Sequence, residues 1–318
     1  MNTAHAKAPR RHITGLLLMM AGVACLSAND AIAKALTSGY SPLQILFLRN
    51  VIALPFTVII AVIMGGASAL RSHRPVAHLL RGALWVAATM MFFTSVIHLA
   101  LAEATALIFV APFFITLISA LFLGEEVEWR RWLAVLAGFF GVLVIIRPGG
   151  ATFQWISLLP VATALVYAVL MLSARWVDAR ESVWTLLVYL TGAGALLSAL
   201  IVPLGWVPVR SGDLWLFAGI ATFGTAGMTM MTQAFRLAPA VVVAPLDYTG
   251  LLWATLFGWL IWQERLDMMT IVGAAIIVTS GVDTILRERR QGSGRTRILM
   301  QKEDVADDWE DETDKGQM

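Results

Sequence analysis

Between residues 13 and 286 the chain is a succession of apolar runs about 20 residues long, joined by short polar turns. Roughly 20 apolar residues are what a helix needs to cross a bilayer. Ten such runs lie near 13–34, 43–64, 79–100, 103–123, 131–147, 155–174, 184–204, 214–234, 240–262 and 268–286. Composition agrees: 58% of residues are hydrophobic and 14% charged, with mean hydropathy +0.76. A soluble domain carries about 25% charged and 45–50% apolar residues. Twelve Trp and 15 Phe against four Tyr fit interfacial aromatics. The fold class expected is an all-α polytopic membrane protein with ten transmembrane helices. The fourth and ninth runs contain Pro112 and Pro245, which a membrane helix tolerates where neighbours re-satisfy the freed backbone groups.

The start of the chain has a signal-peptide flavour, with Lys7, Arg10 and Arg11 before an apolar run. That run is longer than an ordinary signal core and further spans follow it, so a retained first span is expected. Orientation follows from Lys and Arg. With the N-terminus inside, the inner segments hold Lys7, Arg10, Arg11, Arg71, Arg74, Arg81, Arg130, Arg131, Arg175, Arg180 and Arg236. The outer loops hold Lys34, Arg147, Arg210 and Arg265. Eleven against four is a positive-inside bias that places both ends in the cytoplasm.

The last 16 residues contain eight of the 21 acids, so the net charge of +2 says little about partners. After "RERRQGSGRTR", a basic anchor beside the membrane, an acidic disordered tail is expected.

The two halves of the apolar region repeat. "ALAEATALIFVAPFFITLISALFLGEEVEWRRWLAVLAGFFGVLVIIRPG" begins at Ala100, and "RLAPAVVVAPLDYTGLLWATLFGWLIWQERLDMMTIVGAAIIVTSGVDTI" at Arg236. Each opens Leu-Ala-X-Ala, enters a proline-bearing span, turns at an acidic elbow (Glu125-Glu126 or Glu264) and ends in a Gly-rich span. At the same offset of about 140 residues, Lys34 faces Arg175 and Ser41 faces Ser182. Five spans per half make the second copy enter the membrane upside down, and inverted repeats of this kind mark secondary transporters with a site near the midplane. The organisation expected is a cytoplasmic N-terminus (1–12), two five-helix repeats (13–147 and 155–287) and the tail (288–318).

On these residues the chain resembles the EamA-type carriers of the drug/metabolite transporter superfamily, over roughly residues 13–287. "QILFLRN", "LLRGALWVAATMMFF" and "GFFGVLVIIRPG" look like the bacterial subgroup that includes S-adenosylmethionine and riboflavin carriers. The resemblance implies a secondary transporter of a small organic metabolite in the bacterial inner membrane. Uptake of riboflavin or S-adenosylmethionine leads, with export of amino acids or related metabolites as the alternative. A passive channel and a membrane-embedded enzyme stay open as other classes.

Charges in the apolar runs mark the candidate site. Asp30 and Arg49 have no charged counterpart in the second half, where Met171 and Leu190 stand. A charge at a helix centre costs roughly 2.5–3.5 kcal/mol on insertion scales, so the two either pair structurally or meet a substrate or proton. Asp247 and Tyr248 follow Pro245 where a broken helix would aim side chains inward, and Asp247 could also carry a proton. Asn29 and Gln233 are polar at depth, and Trp85, Phe93, Tyr167 and Trp253 are candidate pocket aromatics. Lys34 reads as an interfacial snorkeller, and Glu125, Glu126, Glu128 and Glu264 as solvated elbow charges.

No Walker-type phosphate loop, HExxH, GxSxG or GxGD occurs, and Cys25 is the lone cysteine, so neither a disulfide within the chain nor a thiolate metal site is available. No cofactor is expected. The expected partners are a small-molecule substrate and the lipid bilayer, with proton coupling and a homodimer left open, and no nucleic acid.

Overall fold

In the computed structural model, residues 7–124, 129–149, 153–173, 177, 181–283 and 286 are described, with the backbone alone for 7–12, 131, 240 and 241. Glu125, Glu126, Glu128, Arg175, Arg180 and the tail from 288 lie outside the described residues. The described chain is helical, without strands. Its helices are α1 (Lys7–Leu36), α2 (Pro42–Gly65), α3 (Pro75–His98), α4 (Leu101–Ile108), α5 (Ala111–Phe122) and α6 (Trp129–Ile146). There follow α7 (Leu158–Leu172), α8 (Val183–Ile201), α9 (Leu214–Leu237), α10 (Ala240–Val243), α11 (Thr249–Trp262) and α12 (Met268–Asp283).

Among the described residues, seven helical segments are long and apolar enough to cross a membrane, the α4–α5 pair counting as one (Leu101–Phe122). Two shorter apolar helices are Trp132–Ile146 and Met268–Asp283. The outer surface is apolar too. Leu204 is 88% exposed, Phe122 80% and Ile63 73%, which only a hydrocarbon surround makes tolerable.

Local chemistry sets the ends and the breaks. Ser41 caps α2 by accepting the Gln44 N–H, with Pro42 in the first turn, and Ser182 caps α8 by accepting the Thr185 N–H. The α4–α5 segment breaks at Phe109–Val110, just before Pro112. Between α10 and α11 the chain tightens into a 3₁₀ turn, Ala244–Tyr248, around Pro245. Proline cannot donate to the helical ladder, so both breaks fall where a backbone hydrogen bond is already missing. After α11 the chain turns through Gln263 in the left-handed region (φ 57°), returning the Glu264 N–H to the Gly258 carbonyl at 3.1 Å.

The helices pack in an exchanged pattern. α1 lies on α9 and on α11, while α7 lies on α3 and on α4 and α5. α2 packs on α8 and α9, and α3 on α8. Small residues set the closest crossings, as packing between membrane helices requires. A Cβ at Gly22 would stand 3.0 Å from the Gly227 carbonyl, and one at Gly273 would stand 2.6 Å from the Gly141 carbonyl. α1 therefore meets α9, and α6 meets α12, nearly backbone to backbone.

Candidate functional site

Deep in the bundle, α1 presents Asn29 and Asp30, α2 presents Arg49 and Asn50, and α3 presents Trp85. The Asn29 amide donates to Asp30 Oδ1 at 2.9 Å. Arg49 is 7% exposed, and its guanidinium lies over the Trp85 ring, 5.6 Å from the centroid. Asp30 and Arg49 act on each other electrostatically, yet no ion-pair contact within 4.0 Å joins them. The direct structural pair that the sequence left open is not made.

Gly224 of α9 makes room for this group. A Cβ there would lie 2.8 Å from Asn29 Oδ1 and 2.9 Å from Arg49 Nη2, so both side chains rest on bare backbone. Beside Arg49 is a cavity of about 30 Å³, lined also by Asn50, Thr57, Trp85, Leu190 and Thr191. That is room for about two waters. Leu190, the sequence counterpart of Arg49, thus stands across the same cavity. Buried polar atoms without a partner are rare and point to function when they cluster. Among the described residues they include Asn29 Oδ1, Asn50 Nδ2, Gln233 Nε2 and the Tyr248 hydroxyl.

A second group forms where α10 breaks into α11. Asp247 is exposed, and Tyr167 of α7 is 36% exposed. The Asp247 charge acts on both Tyr167 and Tyr248. Tyr248 is 8% exposed, its ring 4.9 Å from that of Phe109 and its hydroxyl against Gly281. Ser27 of α1 donates to the Gly250 carbonyl at 3.5 Å, tying the start of α11 to the turn of α1 below Asp30.

Two other candidates lie among apolar neighbours. Phe93 is 1% exposed inside the apolar cluster of Tyr40, Leu101 and Phe217. Trp253 packs against the Met19–Val23 cluster and stacks on Phe257 at 6.2 Å. The sequence reading passed over Asn50, although it adjoins Arg49 in an apolar run. It counted Arg81 only as an inner-segment charge, whereas Arg81 is buried in α3 and donates to the Leu170 carbonyl and Ser173 Oγ at 2.9 Å each.

Lys34 and Glu264 need correction. They form a half-buried ion pair, where a snorkelling lysine and a solvated elbow acid were expected. Glu264 also accepts the Leu101 N–H at 2.9 Å, and Lys34 donates to the Leu99 carbonyl at 2.7 Å. The opposite end of the bundle carries a second tie. His78 of α3 meets Glu181 at 2.6 Å, and Glu181 also accepts from Ser72 and the His73 N–H. Burial raises the Glu181 carboxyl, but these hydrogen bonds together hold it below the usual carboxylate range. Among the described residues no three His, Cys, Asp or Glu side chains converge on a metal-holding position.

Comparison with known proteins gives this arrangement a family. The EamA-like transporter family matches residues 13–147 and again 154–282. An S-adenosylmethionine uptake transporter of Rickettsia conorii is 26% identical over 88% of this chain and 95% of its own length. A pseudopaline exporter of Pseudomonas aeruginosa is 28% identical over 84% and 94%. A riboflavin transporter of Rhizobium johnstonii is 33% identical over 71% and 75%. A crystal structure 22% identical in sequence superposes with a TM-score of 0.61 over 87% of this chain and 98% of its own, a likeness of fold. Two matched stretches covering most of the chain, and apolar helices long enough to span a membrane, lead to one conclusion: this multi-pass membrane protein belongs to the EamA-like transporter family.

Proposed function

We propose that the chain is a secondary carrier, and not an enzyme, that moves a small organic metabolite across the bacterial cytoplasmic membrane by alternating access. In this reading the seven long segments, the shorter α6 and α12, and the broken α10–α11 segment make ten spans. They form two inverted halves, 13–147 and 155–287, with both termini cytoplasmic. The exchanged packing supports it: α1 on α9 is answered by α7 on α3, α1 on α11 by α7 on α4 and α5, and α2 on α9 by α8 on α3. Equivalent serine caps, Ser41 and Ser182, open equivalent helices.

The observation that carries the reading is Asp30 and Arg49. They are charges of one half only, deep in the bundle, close enough to feel each other but without a direct bond. A buried charge is retained against its desolvation cost when it meets something that comes and goes. Uptake of S-adenosylmethionine or riboflavin is the leading substrate assignment, supported by the relatives named for those activities. Export of an amino-acid-derived metabolite is the second reading, favoured by the likeness to the pseudopaline exporter. Proteoliposomes holding the purified protein test all of this. Accumulation of either labelled metabolite above equilibrium, collapsed by an uncoupler, supports a coupled carrier. Equilibration alone supports a facilitator, and no movement of either metabolite discards the leading substrates.

A further inference from the structure

Resting on the carrier reading, we propose that Arg49 and Asn50, at the cavity between α2, α3, α8 and α9, form a subsite for a carboxylate group of the substrate. The buried arginines among the described residues are Arg49 and Arg81. Arg81 donates to the Leu170 carbonyl and to Ser173 Oγ. Arg49 donates to no protein acceptor among the described residues, although only 7% of it is exposed. The adjoining Asn50 is 3% exposed, and its Nδ2, a donor, is also without a partner. Buried donors of this kind are costly to keep unless an acceptor meets them in some state of the protein.

Both residues line the same cavity of about 30 Å³, and no acid lines it with them. Asp30 is not among the lining residues and accepts the Asn29 amide at 2.9 Å. Thr57 and Thr191, also in the lining, turn their hydroxyl hydrogens to the Ala53 and Leu187 carbonyls of their own helices, at 2.8 and 2.9 Å. The cavity therefore offers a cation and an amide donor without an anion, which selects a negatively charged acceptor. A guanidinium fork matches the two oxygens of a carboxylate. The volume agrees: room for about two waters is room for two oxygens, and not for the further oxygens and second charge of a phosphate. Both donors are held in place. The Trp85 ring covers the guanidinium from one side, and a Cβ at Gly224 would stand 2.9 Å from Arg49 Nη2 and 3.1 Å from Nε. A second glycine, Gly194 of α8, makes room for the amide, since a Cβ there would stand 2.6 Å from Asn50 Nδ2. Donors fixed in advance lose little freedom on binding. The cavity takes the acidic end of a solute and not its whole body, and it is reached when the bundle opens, as alternating access provides.

The test compares ligand pairs that differ at that one group. Binding to the purified protein in nanodiscs is measured for S-adenosylmethionine against its decarboxylated form, and for methionine against methioninamide, whose amide keeps the shape without the charge. The acid of at least one pair should bind about tenfold tighter or more. Arg49→Gln should abolish that preference, and Arg49→Lys should keep part of it, since a point charge replaces the fork. Where Arg49→Gln fails to fold, Asn50→Asp decides. It keeps the shape of the side chain, brings the protein's own carboxylate to the cavity and should make the two members of the pair bind alike. Equal affinity within both pairs, or a preference that survives in Asn50→Asp or in folded Arg49→Gln, overturns the subsite. Movement of riboflavin, which has no carboxylate, without any acid preference sinks the subsite and leaves the carrier standing. Acid preference without movement of any solute sinks the carrier and leaves the subsite.

Discussion

Lys34, at the last turn of α1, is held by Glu264, 230 residues further along the chain at the turn after α11. The second carboxylate oxygen takes the first free N–H of α4, at Leu101. Gly258 leaves the space for this, since a Cβ there would stand 2.7 Å from Glu264 Oε2. One carboxylate thus joins α1, the α3–α4 joint and α11 at one end of the bundle. In a carrier that opens alternately to each side, this tie must break whenever its own end opens.

Removing the tie should lower stability. Glu264→Gln keeps the shape but loses the charge, and we expect it to cost about 1.5–3 kcal/mol, the range for hydrogen bonds to a charged group. Thermal unfolding in detergent should show the loss, and Lys34→Met/Glu264→Gln should be no worse than the single change. Additive losses in the double variant would show that the two residues act separately.

Gly224→Ala should impair transport without unfolding the protein. The added methyl meets only the flexible ends of Asn29 and Arg49, so these side chains move while the backbone stays. Transport should fall about tenfold or more, the equivalent of one displaced charge-assisted hydrogen bond. Unchanged transport would mean that the placement of Arg49 has no bearing on the substrate.

Exchanging Asp30 and Arg49 separates structure from function at the centre. Asp30→Asn and Arg49→Gln alone each leave one charge without its electrostatic partner and should lower the melting temperature. The double exchange, Asp30→Arg with Arg49→Asp, should recover stability and not transport. Recovery of transport as well would reduce the two residues to structural neutralisation.

The tie at the His78 end predicts an acid limit to stability. Glu181 is held below the ordinary value of 4.5, so its folded-state pKa is lower than its unfolded one. Its contribution is complete above about pH 4.5 and is lost as the pH falls through the lowered folded value. The melting temperature should fall more steeply below that pH in the native protein than in Glu181→Gln. Parallel curves would show that the His78–Glu181 contact adds nothing.

The crossing of α6 and α12 admits no added bulk. Gly273→Ala places a methyl 2.6 Å from the Gly141 carbonyl, against backbone that cannot swing aside. Overpacking of this kind costs about 1–3 kcal/mol. Thermal unfolding and the yield of folded protein in detergent should both report it, and a native-like melting temperature would show the helices free to separate.

Some of the candidate site was legible in the chain and some was not. Asp30, Arg49, Asp247 and Asn29 stood out because a polar residue in an apolar run of membrane length is costly wherever it points. Phe93 and Trp253 could not be told from pocket residues, because aromatic side chains suit a core and a cavity equally well. Glu264 looked like a solvated elbow because its partner lies in another helix far away in sequence, and no local pattern carries such a pairing.

The sequence by itself determined the helical, membrane-embedded class, the proline breaks and the capping serines. Each follows from hydropathy, backbone chemistry or residues within one turn of each other. Tertiary structure alone decided that Asp30 and Arg49 make no direct ion pair, that Lys34 and Glu264 close on each other, and that Asp247 has no ion-pair partner among the described residues. Whether a buried charge is neutralised depends on which helices lie against it and on gaps of an ångström or two. Those are set by packing between helices, notably at glycines such as Gly224, whose missing side chain matters only once another helix arrives.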